Sequence, residues 1–313
     1  MSIPVVDLSH FTSQNENLKT KFVSDLGKAY EEVGFVAVKN HGISDDLISR
    51  MYTEVEHFFS LPEATKRQYE IPGLAGQRGY TSFGKEHAKG FSSADLKEFF
   101  QLGQENVPGS LLDVPYPDNV LVAEAPKFTP VLLEAFRSFE KTGLDLMRAI
   151  ALFLELDEHH FDDQLINGNS ILRAIYYPPI TSEPASAIRA EQHEDINLIT
   201  LLIGASADGL QILNMQGEWV SVTSLPEQIV VNVGDMLQRL TNNRLRSTTH
   251  RVVNPPKEKW SSPRYSIPFF FHPKLNTSLA CLESCISESN PKQYVDYTAG
   301  EYLDERLREI GLK

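Results

Sequence analysis

The sequence contains little cysteine: only Cys281 and Cys285 occur in 313 residues. Two cysteines cannot build a disulfide framework. They stand four positions apart with no second pair, and His272 is the nearest histidine. A structural zinc ion needs four ligands, so a zinc site is the weaker interpretation. We expect two reduced thiols, as is usual in cytosolic proteins.

Long apolar runs are also missing. No stretch is apolar over the length that a membrane-spanning helix requires. Residues 3–8 follow Met1 at once and resemble a strand, whereas a secretory signal begins with a basic and then an apolar segment. We therefore predict a cytoplasmic protein without a membrane partner.

Positive charge is scarce relative to negative charge. The chain has 29 Lys and Arg against 42 Asp and Glu, for a formal net charge of −13. A nucleic-acid-binding protein normally carries a basic surface, and an anionic membrane attracts basic segments. Neither class fits this composition. A small-molecule substrate is the better prediction, and the oligomeric state stays open.

A glycine-rich stretch over residues 72–91 lacks any phosphate-binding pattern. Neither G-x-G-x-x-G nor a Walker sequence follows a strand there. Such a long irregular segment is more typical of a binding loop or a lid.

Apolar periodicity predicts helices in the first half of the chain and strands in the second. Helical spacing covers residues 15–32, 44–59 and 130–156, and short strands are predicted at 3–8, 35–38 and 97–102. From residue 170 onward short strands recur, at 171–177, 196–203, 209–213, 218–222, 228–233, 246–253 and 263–271. Short strands that are separated by turn residues favour an antiparallel sandwich or barrel.

An H-x-D pair, His193 and Asp195, lies beside one of these strands. Residues two apart in a strand share a face, so the imidazole and the carboxylate would point the same way. With a third ligand they would form the 2-His-1-carboxylate triad of non-haem Fe(II) oxygenases. His250 is the candidate, because the intervening strands leave room for a jelly roll to bring it back. Asn197 stands where the zinc pattern H-E-x-x-H needs its second histidine.

Arg264 and Ser266 follow His250 in a predicted strand and would share one face of it. A guanidinium grips a carboxylate through two hydrogen bonds, and a hydroxyl can add a third. Alone, Arg264 would be read as a surface ion pair. Its position after a candidate metal ligand favours a binding role.

The chain resembles the isopenicillin N synthase-like family of Fe(II)- and 2-oxoglutarate-dependent dioxygenases. The matching segments lie in order along the chain, at residues 3–8, 34–35, 40–42, 176–178, 193–195, 232–235, 247–252 and 264–266. The resemblance implies an α+β fold with a double-stranded β-helix, a distorted jelly roll, and flanking α-helices. We expect residues 1–169 to pack on a catalytic core at 170–280, and 281–313 to form a helical extension, all as one structural unit.

The resemblance also implies residue roles. His193, Asp195 and His250 match the iron ligands, and Arg264 and Ser266 match the pair that binds the distal carboxylate of 2-oxoglutarate. Tyr177 matches a tyrosine that often contacts the other end of this co-substrate. Ile175 departs from the asparagine that some plant members have there. The expected cofactors are Fe(II), 2-oxoglutarate and O2, with ascorbate as a stimulant.

The expected reaction oxidises a C–H bond of a small molecule, usually by hydroxylation, with succinate and CO2 as co-products. Desaturation, ring closure and ethylene formation use the same oxidising step and stay open. Two alternatives also stay open. One is an Fe(II) oxidase of the same family that does not use 2-oxoglutarate, and the other is a non-catalytic jelly-roll binding protein.

Substrate contacts are predicted from the residues around the metal. The candidates are Tyr80 and Phe91 in the glycine-rich stretch, Arg173 on the strand before Pro178, and Phe271 near Arg264. For the aromatic residues a place in the core is an equal alternative. An arginine in an apolar strand needs an acidic partner, which is either a substrate carboxylate or an internal Asp or Glu.

Overall fold

The computed structural model describes residues 3–86, 95–106, 116–184, 187–204, 209–223 and 225–309. Its strands are β1 Val5–Asp7, β2 Phe35–Lys39, β3 Gly79–Thr81, β4 Glu98–Gly103, β5 Ile171–Tyr177, β6 Ala190–His193, β7 Ile199–Ile203, β8 Leu210–Leu213, β9 Trp219–Ser221, β10 Gln228–Val233, β11 His250–Val252 and β12 Arg264–Phe271. Its α-helices are α1 Leu8–Phe11, α2 Glu16–Glu32, α3 Asp45–Ser60, α4 Glu63–Lys66, α5 Phe128–Phe153, α6 Asp162–Leu165, α7 Asp235–Leu240 and α8 Ala299–Glu309. Among the described residues, none of the helices combines the length and apolar character needed to cross a bilayer.

Two sheets form the core of the molecule. The larger has eight strands in the order β1-β2-β10-β7-β12-β5-β4-β3, and the smaller has four in the order β6-β11-β8-β9. All neighbours pair antiparallel except β1 and β2. Phe35 and Val230 on the larger sheet pack in one apolar cluster with Ile212 of the smaller sheet and with Val222, the residue after β9. The antiparallel sheets with flanking helices agree with the expected jelly-roll core.

The long helices cover the outer face of the larger sheet. Helix α5 is amphipathic, and its buried side chains join those of α2, α3 and β12 in one apolar core. Gly27 allows α2 to approach α5 closely, because a Cβ there would lie 2.1 Å from the ring of Phe153. Asn15 and Ser44 cap α2 and α3 by accepting hydrogen bonds from first-turn amides.

One predicted strand is shorter than its apolar pattern suggests. Residues 246–253 were expected to be extended, whereas β11 covers only His250–Val252. The preceding residues bond to the end of α2 instead: the amide of Arg246 donates to the carbonyl of Tyr30, and Thr248 Oγ1 donates to Val33. These contacts bring the chain to β11 at the position where His250 enters the interior.

Candidate active site

The three predicted ligand residues converge beside the ladder of β6 and β11. His193 ends β6 and His250 begins β11, and the two residues are directly paired across the ladder with ring centroids 4.4 Å apart. Oδ1 of Asp195 lies 3.9 Å from Nε2 of His193 and 3.8 Å from Nε2 of His250. The three ligand atoms fall within 4.8 Å of one another.

Asp195 reaches the two histidines from outside the strand. A continuous strand is expected to place His193 and Asp195 on one face, but β6 ends at His193 and Asp195 lies in the segment that leads to β7. Hydrogen bonds from other strands position its carboxylate instead. Thr200 Oγ1 on β7 donates to Asp195 Oδ2 at 2.6 Å, and Asn232 Nδ2 on β10 donates to the same oxygen at 2.8 Å.

Both histidines present Nε2 to the interior. Nδ1 of His193 lies 2.6 Å from the carbonyl oxygen of Glu191, and Nδ1 of His250 lies 3.1 Å from that of Thr248. A carbonyl oxygen only accepts, so Nδ1 carries a proton, and in the neutral imidazole the lone pair is then on Nε2. This arrangement is usual for metal-binding histidines. Two nitrogen donors and one carboxylate oxygen therefore suit a divalent transition metal.

The protonation states suit the same chemistry. Burial, followed by the neighbouring His250, lowers the pKa of His193 to about 4, so its imidazole is neutral at pH 7. Burial alone would raise the pKa of Asp195. The two imidazoles and the hydrogen bonds from Asn232 and Thr200 outweigh burial and lower it, so the carboxylate is ionised. Neutral imidazoles and an ionised carboxylate are the forms that bind metal.

A cavity of about 500 Å³ opens in front of the triad, and we call it the front cavity. Strand β12 forms one wall through alternate residues that face inward, namely Arg264, Ser266, Pro268, Phe270 and His272, the residue after the strand. Tyr177 is opposite Arg264 in the β5–β12 ladder, and the Arg264 guanidinium lies 4.9 Å from the centre of its ring. All three predicted co-substrate residues thus line the cavity that contains the triad.

The same alternation places Phe271, a predicted substrate contact, on the face of β12 that is turned away from the front cavity. Phe269 and Phe271 point away from the front cavity and are fully buried in the apolar core. Phe270 lines the cavity instead. Since Arg264 and Ser266 were expected to face inward, the period of two could have identified Phe270.

The predicted contacts from the glycine-rich stretch have different outcomes. Tyr80 does not line the front cavity: its ring packs on Phe58, and its hydroxyl donates to the carboxylate of Glu98. Phe91 lies outside the described residues. Glu86, from the same stretch, does line the cavity and was not predicted.

Arg173 has an internal acidic partner. Its Nη1 lies 3.2 Å from both carboxylate oxygens of Glu86, and its Nε donates to the side chain of Gln101. Nζ of Lys97 lies 2.8 Å from Glu86 and 2.7 Å from Asp95. All five side chains line the front cavity.

This cluster is charged and internally balanced. Burial would raise the pKa of Glu86, but Arg173 and Lys97 outweigh it and hold the pKa at about 2. The two carboxylates of Glu86 and Asp95 also raise the pKa of Lys97, despite its burial. We call Glu86, Asp95, Lys97 and Arg173 the polar wall.

Sequence reasoning missed the polar wall except for Arg173. Gln101 gave a usable signal, because it interrupts an apolar strand as Arg173 does, and the two residues are paired across the β4–β5 ladder. Helix α8 contributes Leu303 and Leu307 to the cavity lining, together with the charged residues Arg306 and Glu309.

Two family models match the chain. The model described as non-haem dioxygenase in morphine synthesis N-terminal matches residues 3–123, and the 2OG-Fe(II) oxygenase superfamily model matches residues 168–273. A proline hydroxylase from Petromyces alliaceus is 31% identical and covers 98% of this chain and 99% of its own. A 2-oxoglutarate-Fe(II) type oxidoreductase from Emericella nidulans is 28% identical over 96% of this chain and 88% of its own.

Solved structures resemble this chain over nearly its whole length. A 2OG-Fe(II) oxygenase family protein from Caulobacter crescentus has a TM-score of 0.88 and 39% identity, with 98% of this chain and 99% of that chain covered. A full-length protein from Neurospora crassa, solved in complex with alpha-KG and thymine, has a TM-score of 0.86 and 30% identity, with coverage of 98% and 96%.

Proposed function

The chain belongs to the 2OG-Fe(II) oxygenase superfamily, and on that premise we propose that it hydroxylates a C–H bond of a small, uncharged or charge-balanced molecule. It is an Fe(II)- and 2-oxoglutarate-dependent oxidoreductase. The observation that carries the assignment of residues is the convergence of two imidazole Nε2 atoms and one carboxylate oxygen beside Arg264 and Ser266.

His193, Asp195 and His250 would hold the iron. When bound, Fe(II) supplies the redox chemistry by which 2-oxoglutarate and O2 become succinate, CO2 and the oxygen of the oxidised substrate. The protein contributes two imidazoles and one carboxylate, whose orientations are fixed by bonds to backbone carbonyls, Thr200 and Asn232. Three protein ligands leave open positions for a chelating 2-oxo acid and for O2.

Arg264, Ser266 and Tyr177 would bind 2-oxoglutarate. Arg264 is 1% exposed, so its charge is largely removed from water and favours an anion at this position. Ser266 lies two residues along the same strand face and offers a hydroxyl to the same carboxylate. Tyr177, opposite Arg264, would contact the co-substrate from the neighbouring strand.

The polar wall and the apolar side chains of the front cavity would select the substrate. Arg173 is already paired with Glu86, which favours the internal-partner interpretation over a substrate carboxylate. Because the wall is internally balanced, a substrate with a net charge would bring an uncompensated charge into a buried site, at a cost of several kcal/mol. Polar groups without net charge can hydrogen bond to this wall, while Phe270 and Leu303 cover an apolar surface. Thymine, the molecule in the Neurospora complex, is itself uncharged.

Several broader predictions accompany this proposal. The net charge of −13 supports a small-molecule partner over nucleic acid or a membrane, and a cytoplasmic location stays a prediction. We also propose that residues 1–169, 170–280 and 281–313 act as one unit. Strands β1–β4 of the first region share a sheet with β5, β7, β10 and β12, which supports this.

Succinate release tests the proposal. The purified protein, with Fe(II), ascorbate, 2-oxoglutarate and air, is screened against uncharged, zwitterionic and singly charged small molecules. We expect succinate formation to be stimulated by uncharged or zwitterionic compounds, with one succinate for each oxidised product. His193→Ala should abolish iron binding and turnover, whereas the matched variant His159→Ala changes an exposed histidine on the surface and should retain both.

Three results would contradict different parts of the proposal. O2 consumption and product formation without succinate would indicate the oxidase alternative. No iron binding by the unmodified protein would indicate the non-catalytic binding protein. Stimulation only by singly charged compounds would leave the enzyme class intact and reject the proposed substrate class.

A further inference from the structure

A second cavity lies behind Arg264, and we call it the rear cavity. Its volume is about 920 Å³, and it shares Arg264, Leu202, Leu210 and Val230 with the front cavity. Its remaining lining comes mainly from the ends of β7, β8 and β9 and from residues 253–262. The two cavities therefore meet at the guanidinium assigned to the co-substrate.

The rear cavity is cationic, although the protein carries a net charge of −13. Arg189, Arg264 and Lys259 line it, and none of the described lining residues is Asp or Glu. Hydroxyl groups of Ser221, Thr223 and Ser262 belong to the same wall. Cations and hydroxyl donors without a carboxylate form an environment that suits an anion.

Arg189 is the buried cation of this site. The residue is 2% exposed, and Nη2 donates to the carbonyl of Ser262 at 3.2 Å, but Nε has no hydrogen-bond partner among the described residues. Its guanidinium lies 5.9 Å from the Tyr177 ring, on which Arg264 also lies. Burial and the positive charge of Arg264 both lower the pKa of Arg189. A buried guanidinium beside another cation is costly unless an anion compensates it.

The groups assigned to iron, to the co-substrate and to the polar wall leave Arg189 without an assigned counter-charge. Two charges of Fe(II) and one of Arg264 balance the single charge of Asp195 and the two charges of 2-oxoglutarate. The polar wall balances itself through two cations and two carboxylates. Of the described buried cations that line either cavity, Arg189 is the one that remains, and it faces the rear cavity.

We propose that the rear cavity is a second anion-binding site, in which Arg189, assisted by Lys259 at the rim, binds the phosphate or carboxylate group of a small molecule. The site is separate from the position of 2-oxoglutarate and can be filled at the same time. Its ligand contacts the wall behind Arg264 and does not enter the front cavity.

Isothermal titration of the full-length protein tests this site. The protein is loaded anaerobically with Fe(II) and saturating 2-oxoglutarate, so that the co-substrate position is filled without turnover. Inorganic phosphate and acetate are then titrated separately, and the tighter of the two identifies the oxyanion chemistry that the site prefers. We expect one bound anion per chain. Arg189→Gln should weaken its binding at least about 10-fold, as expected for loss of a charged hydrogen bond.

Two further variants separate binding from folding. Lys259→Gln changes an exposed residue at the rim and should weaken binding a few-fold without affecting the fold. Arg137→Gln is the matched control, because it removes an exposed arginine on α5, and it should leave anion binding unchanged. The dissociation constant of 2-oxoglutarate should be unchanged in Lys259→Gln.

Three outcomes would overturn the proposal. One is the absence of phosphate and acetate binding to the loaded protein at millimolar concentration. A second is unchanged binding in both Arg189→Gln and Lys259→Gln. The third is binding only when 2-oxoglutarate is absent, which would assign Arg189 to the co-substrate position instead.

Discussion

Asn232 fixes the carboxylate of Asp195: Nδ2 of Asn232 donates to Oδ2 of Asp195 at 2.8 Å across 37 residues of sequence. Thr200 donates to the same oxygen. Oδ2 is thereby occupied, and Oδ1 is the atom that faces both histidines. The direction of the carboxylate is set by two strands of the larger sheet, β7 and β10, whereas the histidines belong to the smaller one.

Asn232→Ala is therefore expected to weaken Fe(II) binding about 10–100-fold, the range typical for loss of an outer contact to a metal ligand. The measurement is an anaerobic Fe(II) titration in competition with a chelator. Asn214→Ala, in an exposed turn, is the control and should bind iron normally. An unchanged affinity in Asn232→Ala would mean that Asp195 does not depend on this hydrogen bond for its orientation.

Arg264→Gln should raise the dissociation constant of 2-oxoglutarate about 10–100-fold, because a charged hydrogen-bonding partner of its carboxylate is lost. Ser266→Ala should raise it only a few-fold, since a neutral hydroxyl contributes less. Calorimetry with anaerobic Fe(II)-loaded protein gives both constants without requiring the substrate. Equal affinities in the wild-type protein and both variants would remove this pair from the co-substrate site.

Phe270→Ala and Phe271→Ala should affect different properties of the protein. Phe271 is fully buried in the core, so its truncation should lower the free energy of unfolding by about 3–5 kcal/mol. Phe270 lines the front cavity, so its truncation should lower stability less and raise the substrate KM. Urea unfolding and succinate assays separate the two effects. The assignment of faces fails if Phe270→Ala is the more destabilised variant.

His272 should make the protein less stable in acid. Burial lowers its pKa to about 4 from 6.5, so between these values the unfolded chain binds more protons than the folded chain. The free energy of unfolding therefore falls as the pH falls from 6.5 towards 4, by about 2 kcal/mol at pH 5 from this residue alone. In His272→Gln the free energy of unfolding, measured with urea, should fall by about 2 kcal/mol less than in the wild type between neutral pH and pH 5. His159→Gln, at an exposed position, is the matched control variant.

Glu140 on α5 should act in the opposite direction. Burial raises its pKa to about 7 from 4.5, and Oε1 has no hydrogen-bond partner among the described residues. The folded chain keeps this proton up to a higher pH than the unfolded chain does. Its contribution to the free energy of unfolding is therefore full below pH 4.5 and is lost as the pH rises through 7. Glu140→Gln keeps the shape and should be more stable than wild type by about 1–2 kcal/mol at pH 8, with little difference at pH 4. Thermal unfolding at the two pH values measures this, and a variant that is equally stable at pH 8 would contradict the raised pKa.

The proposed co-substrate pair could be predicted from the sequence because its spacing is local. Arg264 and Ser266 lie on one strand, and the period of two holds there, so both face the front cavity as predicted. Applying the same period to the rest of β12 selects Phe270 and rejects Phe271. The prediction of Phe271 rested on its residue type alone and did not use the alternation of side chains along the strand.

The partners of Asp195 and Arg173 were less accessible, because they come from distant segments. Glu86 reaches Arg173 across 87 residues, and Asn232 reaches Asp195 across 37. No local pattern encodes such contacts, which depend on how the strands are ordered in the sheets. The need of Arg173 for an acid could be derived from its apolar surroundings, but the identity of that acid could not.

The two faces of strand β12 have different roles: one lines the front cavity and the other packs in the core. Residues 264, 266, 268 and 270 line the front cavity, while Ile267, Phe269 and Phe271 belong to the core. A mutational library for new substrates can therefore randomise positions 268 and 270 and retain 267, 269 and 271. The same division gives natural selection a route to new specificities, since substitutions at the inward positions leave the packing side chains in place.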